Sequence, residues 1–185
     1  MSLTRRSCLS GFAGAVIAGV VPREGAAQAQ LIRRFTKSVA APPLVLPGLD
    51  GTMHSLAALA GKPVLVAVWA TWCAPCRAEL PALLRLQRDL AAEGCAVLAV
   101  NVGDAPERVR RFLGQIDADG LDVLLDRERA VAAPWRVGGL PAAYGIGPSG
   151  DIAFSALGAV DWDGPEARLA LTGLRTQPAE TQSPG

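Results

Sequence analysis

Histidine is nearly missing from this chain of 185 residues: His54 stands alone. Cysteine is scarce too, with four in all, and only Cys73 and Cys76 lie close together in sequence. A structural zinc site takes about four ligands, usually as two Cys or His pairs. No second pair exists here, which argues against zinc. Aromatic residues make up 5% of the chain and the net charge is +1, with no long basic run. That leaves no electrostatic or stacking case for nucleic acid. The apolar stretch from Gly11 to Val21 is too short to span a bilayer core of ~30 Å comfortably.

Apolar residues, by contrast, are half of the chain. That is enough for a proper core, and the length suits one domain plus extensions. The first extension reads as a targeting segment over residues 1–29. Arg5-Arg6 precede an uncharged stretch from Ser7 to Val21, and Ala27-Gln28-Ala29 is a small-x-small cleavage site. Thr4-Arg5-Arg6-Ser7-Cys8-Leu9 resembles a bacterial twin-arginine export signal. An uncleaved N-terminal anchor is the alternative, and either places the domain outside the cytoplasm, in the periplasm. Cleavage would remove Arg5, Arg6, Arg23, Glu24 and Cys8, leaving a nearly neutral chain with three cysteines. One thiol is then free. It is expected to be Cys95, a small buried hydrophobe at a strand start.

Trp72-Cys73-Ala74-Pro75-Cys76 carries the chemistry. It follows the apolar run Val64–Trp69 and opens a helical segment. A cysteine at a helix N-terminus meets unpaired N–H groups and the positive end of the helix dipole, which favour thiolate over thiol. Spacing i, i+3 puts both sulfurs on one helical face, close enough to bond. A reactive thiolate beside a partner thiol is the minimum for thiol–disulfide exchange. Half of a zinc site and an inert structural bridge are the alternatives for a bare C-x-x-C.

The pattern along the chain predicts an α/β domain with a mixed sheet, in the order β-α-β-α-β-α-β-β-α. Residues 30–43 read as a linker, 44–175 as the domain and 176–185 as a polar tail. A hairpin is expected around Pro47-Gly48-Leu49-Asp50-Gly51, with His54 on its surface. The strands expected after it are Val64–Trp69, Ala96–Val102, Leu121–Leu125, Tyr144–Ile146 and Ile152–Leu157. The helices are one from Cys76 to Gly94 bent at Pro81, then Pro106–Ile116, Arg127–Ala132 and Pro165–Leu174. Trp69 and Trp72 are candidates to pack over the dithiol. Asp161-Trp162-Asp163 reads as a helix-capping turn, and Glu107 with Arg108, Arg110 and Arg111 as a solvated helix face.

Val68-Trp69-Ala70-Thr71-Trp72-Cys73-Ala74-Pro75-Cys76-Arg77-Ala78-Glu79-Leu80-Pro81 resembles the active-site segment of the thioredoxin fold. More narrowly, it resembles the TlpA/ResA/CcmG branch of exported thiol–disulfide oxidoreductases. Val137-Gly138-Gly139-Leu140-Pro141-Ala142-Ala143-Tyr144 is similar to the segment bearing that fold's cis-proline, and the likeness runs from about Leu44 to Leu174. The resemblance implies a thioredoxin-like fold: a central mixed sheet flanked by helices, with an N-terminal hairpin. It implies Cys73 as the attacking thiol and Cys76 as the resolving one. It places Trp72, Ala74, Pro75, Leu140 and Pro141 against the substrate, with a cis bond before Pro141. General thioredoxins keep a buried aspartate six positions before the first cysteine, where this chain has Ala67. The TlpA/ResA branch instead has a glutamate matching Glu79, which would relay a proton for the second thiol. By residue chemistry alone, a solvated carboxylate at a helix start explains Glu79 equally well.

These readings converge on an exported disulfide reductase that acts on cysteines of other proteins, with no cofactor or metal. By resemblance it draws electrons from a membrane donor protein and serves cytochrome c or copper-site maturation. The alternative is a metallochaperone holding Cu(I) on the same two thiolates.

Overall fold

The computed structural model describes residues 32–116 and 118–175. The expected export signal (1–29) and polar tail (176–185) lie outside them. Among the described residues there are eight strands: β1 Ile32–Arg34, β2 Val45–Pro47, β3 Met53–Ser55, β4 Val64–Trp69, β5 Ala96–Val102, β6 Val123–Asp126, β7 Ala142–Ile146 and β8 Ile152–Leu157. The α-helices are α1 Ala74–Ala91, α2 Pro106–Leu113 and α3 Pro165–Arg175, and a 3-10 turn spans Leu56–Leu59.

Six strands form one mixed sheet in the order β1-β8-β7-β4-β5-β6, and β2 pairs with β3 as a separate hairpin. β4 runs parallel to β5 and antiparallel to β7. All six of its residues are buried, as a continuous apolar run in a strand covered on both faces requires. Two registers then place the site. Trp69 lies opposite Asn101, so β4 and β5 end side by side. Val68 lies opposite Ala142, so β7 starts where β4 finishes. The Cys73 loop leaves β4, the Asp104 loop leaves β5 and the Pro141 loop enters β7, all at one end of the sheet.

Helix α1 buries Cys76, Glu79, Leu80, Leu83, Leu84, Leu86 and Leu90, the 3.6-residue stripe expected of it. It runs on as one helix through Pro81. The chain closes it at Gly94 (φ +75), a left-handed position that suits glycine, where Cys95 N–H donates to the Leu90 carbonyl at 3.0 Å. Ion pairs Arg85–Asp163 and Arg175–Glu93, both 2.6 Å, tie α1 to the start and end of α3. Phe112 of α2 packs on Trp69, with ring centroids 5.8 Å apart.

Four expectations need correction. Residues 30–43, expected as a linker, include β1, which pairs with β8 at the sheet edge from Ile32 opposite Ala156 to Arg34 opposite Phe154. The helix expected at Arg127–Ala132 is a run of turns reaching residue 136. Its N–H groups go to Asp126, whose carboxylate accepts from Ala130 at 2.7 Å and Val131 at 3.0 Å, so side-chain bonds replace helical ones. Helix α2 stops at Leu113, with Gly114 as its C-cap, rather than at Ile116. The sixth strand begins at Val123 rather than Leu121, because the Ala118–Leu121 turn precedes it.

Candidate functional site

Cys73 and Cys76 are joined by a disulfide. Cys73 is the N-cap of α1: its sulfur accepts from the Cys76 N–H at 3.3 Å, one of the donors that a helix start leaves without a backbone partner. Pro75 occupies the first turn, where a missing N–H costs nothing. Cys76 is fully buried and Cys73 retains 5% exposure, so the accessible part of the pair belongs to Cys73. Trp72, Ala74 and Pro75 around it are exposed, Trp72 at 62%. Trp69 is buried in the core, its ring 5.8 Å from that of Phe112.

The Leu140–Pro141 peptide bond is cis, as the family likeness implied. Leu140 and Trp72 line one groove of about 220 Å³, whose walls are otherwise mainly Val68, Val102, Val131 and Val137. Among the described residues, none hydrogen-bonds the main-chain N–H or C=O of Leu140, whereas the Pro141 carbonyl accepts from Gly158 N–H at 2.8 Å. A chain lying along the groove would find both Leu140 groups open.

Glu79 lies one helical turn beyond Cys76 on the same buried face of α1. It is not a solvated helix-start carboxylate. It is 7% exposed, and one oxygen accepts from the Val160 N–H at 3.1 Å. Burial pushes its carboxyl up from the ordinary 4.5 to about 7, against the opposing pull of that N–H. The Trp162 indole nearby also favours the charged form, although its buried Nε1 makes no hydrogen bond of full geometry. Trp162 reaches this place through the Asp161–Asp163 turn, which Asp161 holds by accepting from Asp163 N–H at 3.2 Å.

A second carboxylate supports the loop from the other side. Asp104 accepts from Thr71 N–H at 2.8 Å, from Thr71 Oγ1 at 2.9 Å and from Asn101 Nδ2 at 3.1 Å. Thr71, Asn101 and Asp104 are all buried. This network pins the residue just before Trp72-Cys73, and sequence reasoning missed it. Its only signal was polar residues at the carboxyl ends of two adjacent apolar strands, where α/β folds place their sites. Val160 and Trp162 were not legible as partners of Glu79.

Other candidates fall away from the dithiol. Cys95 is a free, buried thiol, pushed by burial up to about 11, which disfavours the reactive thiolate. His54 is exposed on the hairpin. Among the described residues no three His, Cys, Asp or Glu side chains gather as metal ligands, and no helix is long and apolar enough to cross a membrane.

Comparison with known proteins places this geometry. The profile of the AhpC/TSA family matches residues 38–155. The thiol-disulfide oxidoreductase ResA of Geobacillus kaustophilus is 34% identical over 112 residues, 60% of this chain and 64% of that protein. The thiol:disulfide interchange protein CycY of Rhizobium leguminosarum is 35% identical over 102 residues, 55% of this chain and 53% of that protein. The chain thus spans less than two thirds of the length of these relatives. A solved structure described as a candidate thiol:disulfide interchange protein DsbE, from Chlorobium tepidum, superposes with a TM-score of 0.68 at 27% identity. The match covers 76% of this chain and 98% of that one, and the fold is thioredoxin-like.

Proposed function

The chain belongs to the AhpC/TSA family, and from that premise we propose that it is a thiol–disulfide oxidoreductase, reducing disulfides of other proteins outside the cytoplasm. The observation that carries this reading is the Cys73–Cys76 bond at the start of α1, with its one accessible part on Cys73. The names of its relatives support the reaction class.

In the reduced protein, the Cys73 thiolate attacks a substrate disulfide. A Cys73–substrate bond forms, the substrate S–S bond breaks, and one substrate sulfur leaves as a thiolate that takes a proton from water. Cys76 then loses its proton to Glu79, whose carboxyl near 7 suits that exchange at neutral pH. The Cys76 thiolate attacks Cys73, the second substrate sulfur leaves, and Glu79 returns the proton to it or to solvent. Two electrons pass to the substrate, and the protein is left in the disulfide form seen here. Trp72, Ala74 and Pro75 form the surface that meets the substrate. Leu140 offers it main-chain groups beside Pro141. No cofactor takes part.

The twin-arginine-like segment before residue 30 supports export to the periplasm, where a membrane electron-donor protein would restore the dithiol. The resemblance to the TlpA/ResA/CcmG branch supports a place in cytochrome c or copper-site maturation. Trapping tests the whole reading. Cys76→Ala expressed in the native cell should accumulate mixed disulfides with cysteine-containing proteins, while Cys73→Ala should not. Equal adducts from both variants would overturn the assigned roles, and none from either would overturn the activity.

A further inference from the structure

Two unusual backbone positions meet beside the groove. Arg129 has φ +57, a left-handed conformation that residues with a Cβ rarely adopt, and Gly103 has φ +80. One carbonyl holds both: Asp126 O accepts from Gly103 N–H at 2.9 Å and from Arg129 N–H at 3.2 Å. The buried Asp126 carboxylate then ties the next two N–H groups, so the turn cannot relax independently. The guanidinium of Arg129 lies over Gly103. A Cβ on residue 103 would stand 2.8 Å from its Nε, too close for any real contact. The absence of a side chain at Gly103 is what lets the cation lie there.

That cation lines the groove shared by Trp72 and Leu140, and among the described residues it is the only charged one lining it. Among the described residues Arg129 makes no ion pair; the two present are Arg85–Asp163 and Arg175–Glu93. The nearest acidic residue at the end of β5, Asp104, spends its carboxylate on Thr71 and Asn101. An apolar groove with one exposed, unneutralised guanidinium at its side is complementary to an apolar segment carrying one carboxylate.

We propose that Arg129 selects the partner: the groove beside the disulfide takes an extended cysteine-containing segment with an Asp or Glu close to its reactive cysteine. This rests on the oxidoreductase reading for its substrate, but the binding step stands apart from turnover. Trp72 supplies the apolar platform, Leu140 the main-chain contacts and Arg129 the charge preference.

The test uses short blocked peptides that differ at one position, Glu, Gln or Lys, beside either a disulfide-bonded Cys or an unreactive Ser. Calorimetry with the Ser peptides and the oxidised protein reads binding alone. The Glu peptide should bind about fivefold more tightly than the Lys peptide at low salt, the upper end for an exposed ion pair. The preference should vanish in Arg129→Gln, persist in part in Arg129→Lys, persist fully in Arg108→Gln on the solvated face of α2, and shrink at about 0.5 M salt. Equal binding of Glu and Lys peptides by the unaltered protein, or a preference that survives Arg129→Gln, overturns the proposal. The Cys peptides separate the two claims. If none is reduced whatever its charge, the oxidoreductase reading fails, while the Ser-peptide binding still decides the role of Arg129.

Discussion

Two buried carboxylates bracket the disulfide loop, and they are treated in opposite ways. Asp104 accepts three hydrogen bonds, two from Thr71 and one from Asn101. Glu79 accepts one, from Val160, and burial lifts its carboxyl to about 7. A carboxylate that accepts several hydrogen bonds holds the donor groups in place. One starved of donors in an apolar setting stays able to take up and release a proton. Burial is similar for both, at 6% and 7% exposure, and they differ in the number of donors they meet. Asp104 is thus a scaffold for the loop, and Glu79 is its titrating group.

Removing the scaffold carries the largest expected effect. Asp104→Ala strands the Thr71 N–H and hydroxyl and the Asn101 amide, where each buried donor left unpaired costs about 1–3 kcal/mol. Stability should fall by about 4 kcal/mol, read as the shift in the denaturation midpoint of the oxidised protein. A loss below about 1 kcal/mol would mean that water replaces the carboxylate and that Asp104 is not the anchor of the loop.

The titrating group comes next. A carboxyl raised from 4.5 to about 7 in the folded state binds its proton more tightly there than in the unfolded chain. Its contribution is therefore favourable at low pH and is lost as pH rises from about 4.5 to about 7, by up to about 3 kcal/mol. Glu79→Gln cannot titrate. Its stability relative to the parent should rise across that window and level off above it. Parallel pH–stability curves for the two proteins would mean that Glu79 does not titrate in that window.

The kinetic counterpart is smaller. Glu79→Gln should slow resolution of the mixed disulfide by about a hundredfold, the weak end of what a positioned general base contributes. The step should also lose its pH inflection near 7, while attack by Cys73 changes little, because the helix start favours that thiolate. Stopped-flow traces across pH separate the steps. Superimposable resolution profiles would remove the proton relay.

The smallest effect belongs to the third cysteine. Cys95 is buried and away from the pair, so Cys95→Ala should leave activity within about twofold and cost only the packing of one small side chain, about 1 kcal/mol. A marked loss of turnover would bring Cys95 into the redox cycle.

What was legible in the sequence was local. The run Val64–Trp69 announced a covered strand because six apolar residues in succession fit only an interior position in the sheet. The place of Cys73 and Cys76 at a helix start followed from the apolar run before them and the helical pattern after them. The leucine stripe of α1 followed from the helical period. Each of these depends on neighbours within one or two turns of chain, so the sequence by itself determines it. Tertiary structure decided the rest. Ile32–Arg34 became a strand only because β8 offered an open edge, and the segment after Asp126 stayed out of a helix because Asp126 took the N–H groups of Arg129, Ala130 and Val131. Whether Glu79 faced water or Val160 depended on a segment 81 residues away in the chain, and whether Arg129 lay beside Trp72 depended on a glycine in another loop. Hydrogen bonding and desolvation act through space over a few ångströms, without regard to separation along the chain. They set the chemistry of these side chains only after the sheet has brought its loops to one end.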